Sequence, residues 1–88
     1  MATIIRTDGT KWKLDDLSLE SLQKAVGGYI EVVSLPDGRS IMYANEEGLL
    51  HNLAVNLTAC VIAEQRIVGD VVVLTEKETQ EAILDGGE

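Results

Sequence analysis

The chain has 88 residues, and fifteen Asp or Glu against seven Lys or Arg give it a formal net charge of −8. A field of that sign repels a nucleic-acid backbone, whose binding needs cations on the phosphates. One histidine and one cysteine exclude a two-histidine metal site and an internal disulfide. No metal or cofactor is expected.

With no Phe and one Trp, the core must be built from Val, Ile, Leu and Ala. A chain of this length makes one domain, residues 1–88, with a thin core. Burying an apolar face against a copy offsets that shortage, so a homo-oligomer is expected.

Thr3-Ile4-Ile5-Arg6 and Lys11-Trp12-Lys13-Leu14 flank Thr7-Asp8-Gly9-Thr10. Asp-Gly between two extended segments predicts a hairpin, with Trp12 on the face opposite Lys11 and Lys13. A helix follows. Ser18 is its cap, Leu17 and Leu22 stand at staple positions, and Leu19, Leu22 and Val26 share a face. Gly27-Gly28 ends it, one of the two in a left-handed conformation.

Tyr29 to Leu35 and Arg39 to Ala44 read as strands joined by Pro36-Asp37-Gly38, a second hairpin. Asn45-Glu46-Glu47-Gly48 is a turn. Residues 56–64 fit both periods, since Leu57, Cys60, Val61 and Glu64 have helical spacing while Leu57, Ala59, Val61 and Ala63 alternate. Asn56 as a cap favours the helix. Cys60, in an apolar stretch, is expected to act as a small buried hydrophobe.

Val71-Val72-Val73-Leu74 is apolar on both faces, hence a central strand. Thr75-Glu76-Lys77-Glu78 has the pattern of a capping box for a last helix reaching about Leu84. The expected fold is α+β: a small domain with a largely antiparallel sheet and two or three short helices, in the order ββαββαβα.

No apolar run approaches the ~18 residues that span a bilayer, and Met1-Ala2-Thr3-Ile4-Ile5-Arg6 lacks the build of a secretion leader. A lone cysteine suits a reducing compartment. A cytoplasmic protein away from membranes is expected.

Groups for catalysis are few. His51 is the only histidine and reads as an exposed loop residue. Asp15-Asp16 and Glu46-Glu47 are sequence neighbours that point apart, so they do not share a proton. Gly27-Gly28 lacks the spacing of a phosphate loop. The chain does not read as an enzyme.

Val26-Gly27-Gly28-Tyr29-Ile30-Glu31-Val32-Val33, Asn45-Glu46-Glu47-Gly48, Leu53-x-x-Asn56 and Ile67-Val68-Gly69-Asp70 together resemble domain-of-unknown-function family 3846 over about residues 22–74. The N-terminal hairpin and the C-terminal segment fall outside that pattern, and Ala54 stands where the family often has proline. The resemblance implies a small accessory protein of bacteriophages and conjugative elements, in the company of counter-defence modules, working in the host cytoplasm. It implies no catalytic residues.

Two binding functions fit. In the first, the protein sequesters a small anionic nucleotide signal. Trp12, Tyr29 and Tyr43 would stack on the base, and Arg39, Arg66 or the hairpin cations would meet phosphate. Asn52 or Asn56 would read a base edge, with Gly28 allowing close approach. In the second, the acidic half of the chain covers a basic surface of a host protein. Residues 1–44 hold six acids and five bases, whereas residues 45–88 hold nine acids and two bases. The placement of the cations discriminates: convergence on one cleft suits a nucleotide, and dispersal beside an acidic face suits a protein.

Overall fold

A computed structural model describes residues 2–75. Strand β1 (Ala2–Ile5) and β2 (Lys11–Leu14) form the first hairpin, and α1 (Leu19–Val26) follows. Next come β3 (Ile30–Ser34), β4 (Ile41–Asn45), α2 (Leu57–Ala63) and β5 (Val71–Leu74). The sheet order is β2-β1-β5-β4-β3, and each neighbouring pair is antiparallel. The fold is α+β, as the pattern of elements predicts. The helix expected after Thr75 lies outside the described residues.

The sheet is covered on both sides. On the α1 side, Leu22 and Val26 pack with Ala2, Val72 and Leu74, joined by Leu17, Ile30 and Tyr43. On the α2 side, Ala59 and Ala63 pack with Ile5, Met42, Ala44, Val71 and Val73. β5 therefore alternates between two cores, and all four of its residues are buried. That is why its sequence is apolar without a break.

α1 starts as its sequence directs. Ser18 Oγ accepts from Ser21 N–H, and Leu17 meets Leu22 in one apolar cluster, the staple that fixes the entry of the chain. Gly27, at φ 81°, turns the chain out of the helix, and the N–H groups of Gly27 and Gly28 both reach the Gln23 carbonyl. Leu19, expected on the inner face with Leu22 and Val26, is exposed. It occupies the first helical position, where the turn has not yet reached the sheet.

α2 is helical with Asn56 as its cap, but the face it buries is not the one its large side chains mark. Leu57 and Val61 are 74% and 78% exposed, while Ala59 and Ala63 touch the sheet. Small residues let this short helix lie close to the sheet. Cys60 is half-buried and hydrogen-bonded: its thiol donates to Ile67 O at 3.4 Å and accepts from Ile67 N–H at 3.1 Å. Among the described residues no helix is long and apolar enough to cross a membrane.

Three exposed aspartates organise the turns. Asp16 accepts from the Ser21 hydroxyl and Ser18 N–H, Asp37 from the Ser40 hydroxyl and two main-chain N–H groups, and Asp8 from the Thr10 hydroxyl and N–H. The hydroxyl bond first, then the N–H bonds, hold each carboxyl below the usual carboxylate range. A depressed folded value means the stabilisation is present above the unfolded carboxylate range and is lost as pH falls through the folded values. Thermal melts should therefore fall as the pH drops below the usual carboxylate range. Asp16→Asn should flatten that acid limb, and a limb of unchanged slope would remove Asp16 from this account.

Candidate functional site

The end of the sheet that holds the C-terminus of β4 and the N-termini of β3 and β5 carries a cleft. Asn45, buried at the end of β4, donates from Nδ2 to Val26 O at 3.0 Å and accepts at Oδ1 from Glu47 N–H at 2.8 Å. It ties the following turn to the end of α1. The turn closes on itself, with Gly48 N–H to Asn45 O, His51 N–H to Glu47 O and Leu53 N–H to Gly48 O. Gly48 lies so near Val68 that a Cβ there would stand 2.7 Å from its Cγ2.

Between this turn, β4 and the Arg66–Val68 stretch lies a cleft of about 420 Å³. Its walls include Ala44, Ile67 and Val68, and its charged lining is Glu31, Glu46, Glu47 and Arg66. Leu49 and Leu50 also line it, and they are 73% and 77% exposed. Glu31 faces this side because it pairs with Ala44, whose side chain is on the α2 side. Three carboxylates outnumber one guanidinium, so the local field favours a cation over an anion.

The eight residues singled out in the sequence do not meet in one place. Only Arg66 lines this cleft. Tyr29 is exposed just before β3, its carbonyl accepting from Glu46 N–H at 2.8 Å. Tyr43 is half-buried between Val32 and Val72 on the α1 side. Gly28 packs against Asn45, where a Cβ would sit 3.1 Å from Nδ2, and its own N–H is used by α1. Asn52 is exposed in the turn at φ 52°. Arg39 is in the β3–β4 turn, at the opposite end of the sheet.

Asn56 is fully buried, and its amide is spent inside the fold. Nδ2 donates to Ile5 O at 2.9 Å and to Gly69 O at 3.0 Å, while Oδ1 accepts from Ala59 N–H at 3.1 Å. A base edge has nothing left to read there.

Trp12 is exposed on β2 on the α1 side, opposite Ile4, with the Arg6 guanidinium 5.9 Å from its ring centroid. Arg6, Lys24, Ser21 and Asp70 line a second cleft of about 390 Å³ between β1, β2 and α1. Ser21 Oγ is bonded to Asp16, and Asp70 Oδ1 accepts from Thr7 N–H at 3.0 Å. Lys11 and Lys13 lie on the other face of the same ribbon, opposite Ile5 and Thr3.

Glu31, Leu49, Leu50 and Lys24 were missing from the sequence-derived set. Leu49-Leu50 in a polar turn was the readable sign of an exposed apolar pair. Glu31 needed the β3–β4 register before it could be placed beside Arg66. His51 is exposed, as expected. Among the described residues no three His, Cys, Asp or Glu side chains group to hold a metal ion.

Fold and cleft together define a small antiparallel α+β domain with an acidic, apolar-lipped cleft at one end of its sheet. The chain belongs to the family described as Domain of unknown function (DUF3846), whose model matches residues 1–85. The match takes in the N-terminal hairpin, which the motif resemblance had left outside. No curated protein and no solved structure matches the chain.

Proposed function

We propose that the protein is a non-catalytic interaction module whose acidic cleft holds a basic, partly apolar segment of a partner protein. The observation that carries this is the distribution of charge. Glu31, Glu46 and Glu47 surround one cleft with two exposed leucines. The described cations are spread over the β1–β2 ribbon, α1, the β3–β4 turn and the cleft itself, and only Arg6 and Lys24 share another cleft, there with Asp70. A phosphate ligand needs converging donors, whereas a lysine or arginine side chain needs what this cleft offers. In the mobile-element setting that the family resemblance implies, such a module would mask a basic surface of a host protein, as a counter-defence factor in the host cytoplasm. Self-association is a separate property, supported by exposed Leu57 and Val61, which do not line the cleft.

The test is calorimetric titration with polylysine, with polyglutamate as control. Polylysine should bind more weakly as salt rises. The double variant Leu49→Ser/Leu50→Ser, which keeps every charge, should weaken it by about tenfold or more, because burying even part of a leucine contributes over ~1 kcal/mol. Equal binding by the double variant would reduce the effect to net charge alone and sink the reading.

A second reading has one specific observation behind it: Arg6 held over Trp12 beside Lys24. That cleft could take a small anionic nucleotide, the base on the ring and the phosphate on the two cations. Asp70 in the same lining opposes it. Binding of cyclic or linear nucleotides that disappears in Trp12→Ala would favour this reading over the first.

A further inference from the structure

We propose that the partner segment binds as an added strand along the free edge of β3, its main chain extending the sheet and its basic side chains pairing with Glu31 beside the acidic cleft. This rests on the reading above and adds the mode of recognition.

Among the described residues β3 is an edge strand, at the end of the order β2-β1-β5-β4-β3. Its ladder with β4 shows which groups are unused. Tyr29 O accepts from Glu46 N–H at one end, and Leu35 N–H donates to Ser40 O at the other. The register between them is unbroken, from Ile30↔Asn45 to Ser34↔Ile41. In an antiparallel ladder, residues alternate between bonding the neighbour and facing away. Odd-numbered residues here bond β4, so the main-chain groups of Ile30, Val32 and Ser34 face outward.

The two edges of the sheet are unlike. Edge strands are commonly guarded against pairing by charged side chains, lysine above all, or by proline, a bulge or short length. β2 has four residues and carries Lys11 and Lys13. β3 has five residues, no lysine, no proline and no bulge, and exposes Val32 at 59%. The less guarded edge, whose one charge is Glu31, is the one that runs past the acidic cleft.

Charge selects the occupant. A strand added to β3 would lie about 4.8 Å away and present alternate side chains to the two faces. Those on the α2 side would stand opposite Glu31, with Glu46 and Glu47 beyond it. Those on the α1 side would meet Ile30 and Val32. The fitting partner alternates basic and apolar residues. A second copy of this chain fits poorly, because two-fold pairing about Val32 would bring both Glu31 carboxylates onto one face as close diagonal neighbours.

The test uses the full chain and a synthetic peptide alternating lysine and valine over about ten residues. Antiparallel addition makes the valines share the face of Ile30, Val32 and Ser34, so the valine N–H groups point at β3. Methylating the valine nitrogens should therefore weaken binding by about tenfold or more, while methylating the lysine nitrogens should not. Binding should slow hydrogen exchange at the amides of Ile30, Val32 and Ser34. Val32→Pro removes one outward donor and spares the β3–β4 ladder; it should match the loss seen with the valine-methylated peptide.

Equal affinity for both methylated peptides, or full affinity in Val32→Pro, would overturn strand addition while leaving the cleft reading in place. Slow exchange at those three amides in the free protein at every dilution would also overturn it, because the edge would already be filled. No affinity for any lysine–valine peptide, together with equal polylysine binding by Leu49→Ser/Leu50→Ser, would remove both proposals.

Discussion

Replacing Asn56 with alanine is expected to cost about 3 kcal/mol, the largest loss from any single polar truncation in the described fold. The side chain has no exposed surface and makes three hydrogen bonds. One caps α2 at Ala59 N–H, which is worth about 1 kcal/mol. The other two satisfy the carbonyls of Ile5 and Gly69, and each buried acceptor left without its donor costs about 1 kcal/mol more. A chain of this length has only about 5–10 kcal/mol in all, so the variant should be much easier to unfold. Asn56→Asp is the sharper probe. It keeps the capping oxygen but turns a second oxygen toward two carbonyl oxygens, so at neutral pH it should be at least as damaging as alanine. Urea unfolding midpoints measure both. A loss under about 1 kcal/mol for the alanine variant would mean that the two carbonyls find other donors.

The start of α1 could be read directly, because Leu17, Ser18 and Leu22 act within one turn of each other. The same holds for the two hairpins, whose turn residues need only their immediate neighbours. β5 was legible for a different reason: a strand buried on both faces has no polar position to lose. The inner face of α2 was not. Leu57 and Val61 have the apolar area, yet α2 turns Ala59 and Ala63, flanked by Cys60 and Ile62, toward the sheet, and hydrophobicity alone does not say which face is inward. Asn56 was legible as a cap and misleading as a ligand, since its Nδ2 partners lie 51 and 13 residues away. The acidic cleft depends on similar long-range pairing. Glu31, the 46–50 turn and Arg66 come together only through the β3–β4 register and the packing of Gly48 on Val68.

Gly69→Ala should destabilise by about 3 kcal/mol, against about 1 kcal/mol for Gly27→Ala. Both glycines have positive φ, 79° and 81°, so both variants carry the strain of a left-handed Cβ. They differ in what that Cβ meets. At Gly27 nothing lies within 4 Å, whereas at Gly69 it would stand 2.7 Å from Leu53 Cδ1 and 3.6 Å from Leu53 Cβ. Overpacking of that kind adds about 1–3 kcal/mol. Leu53 must swing its Cδ1 aside to make room. Its N–H closes the same turn on Gly48 O. Gly69 is fixed as well, with its N–H on Ala54 O at 2.8 Å and its carbonyl on Asn56. Displacing Leu53 therefore pushes on the turn that carries Glu46, Glu47, Leu49 and Leu50. Gly69→Ala should weaken polylysine binding although Gly69 does not line the cleft, and Gly27→Ala should leave that binding unchanged. Equal unfolding costs for the two variants would show that Leu53 moves freely, and the link from Gly69 to the cleft would then fail.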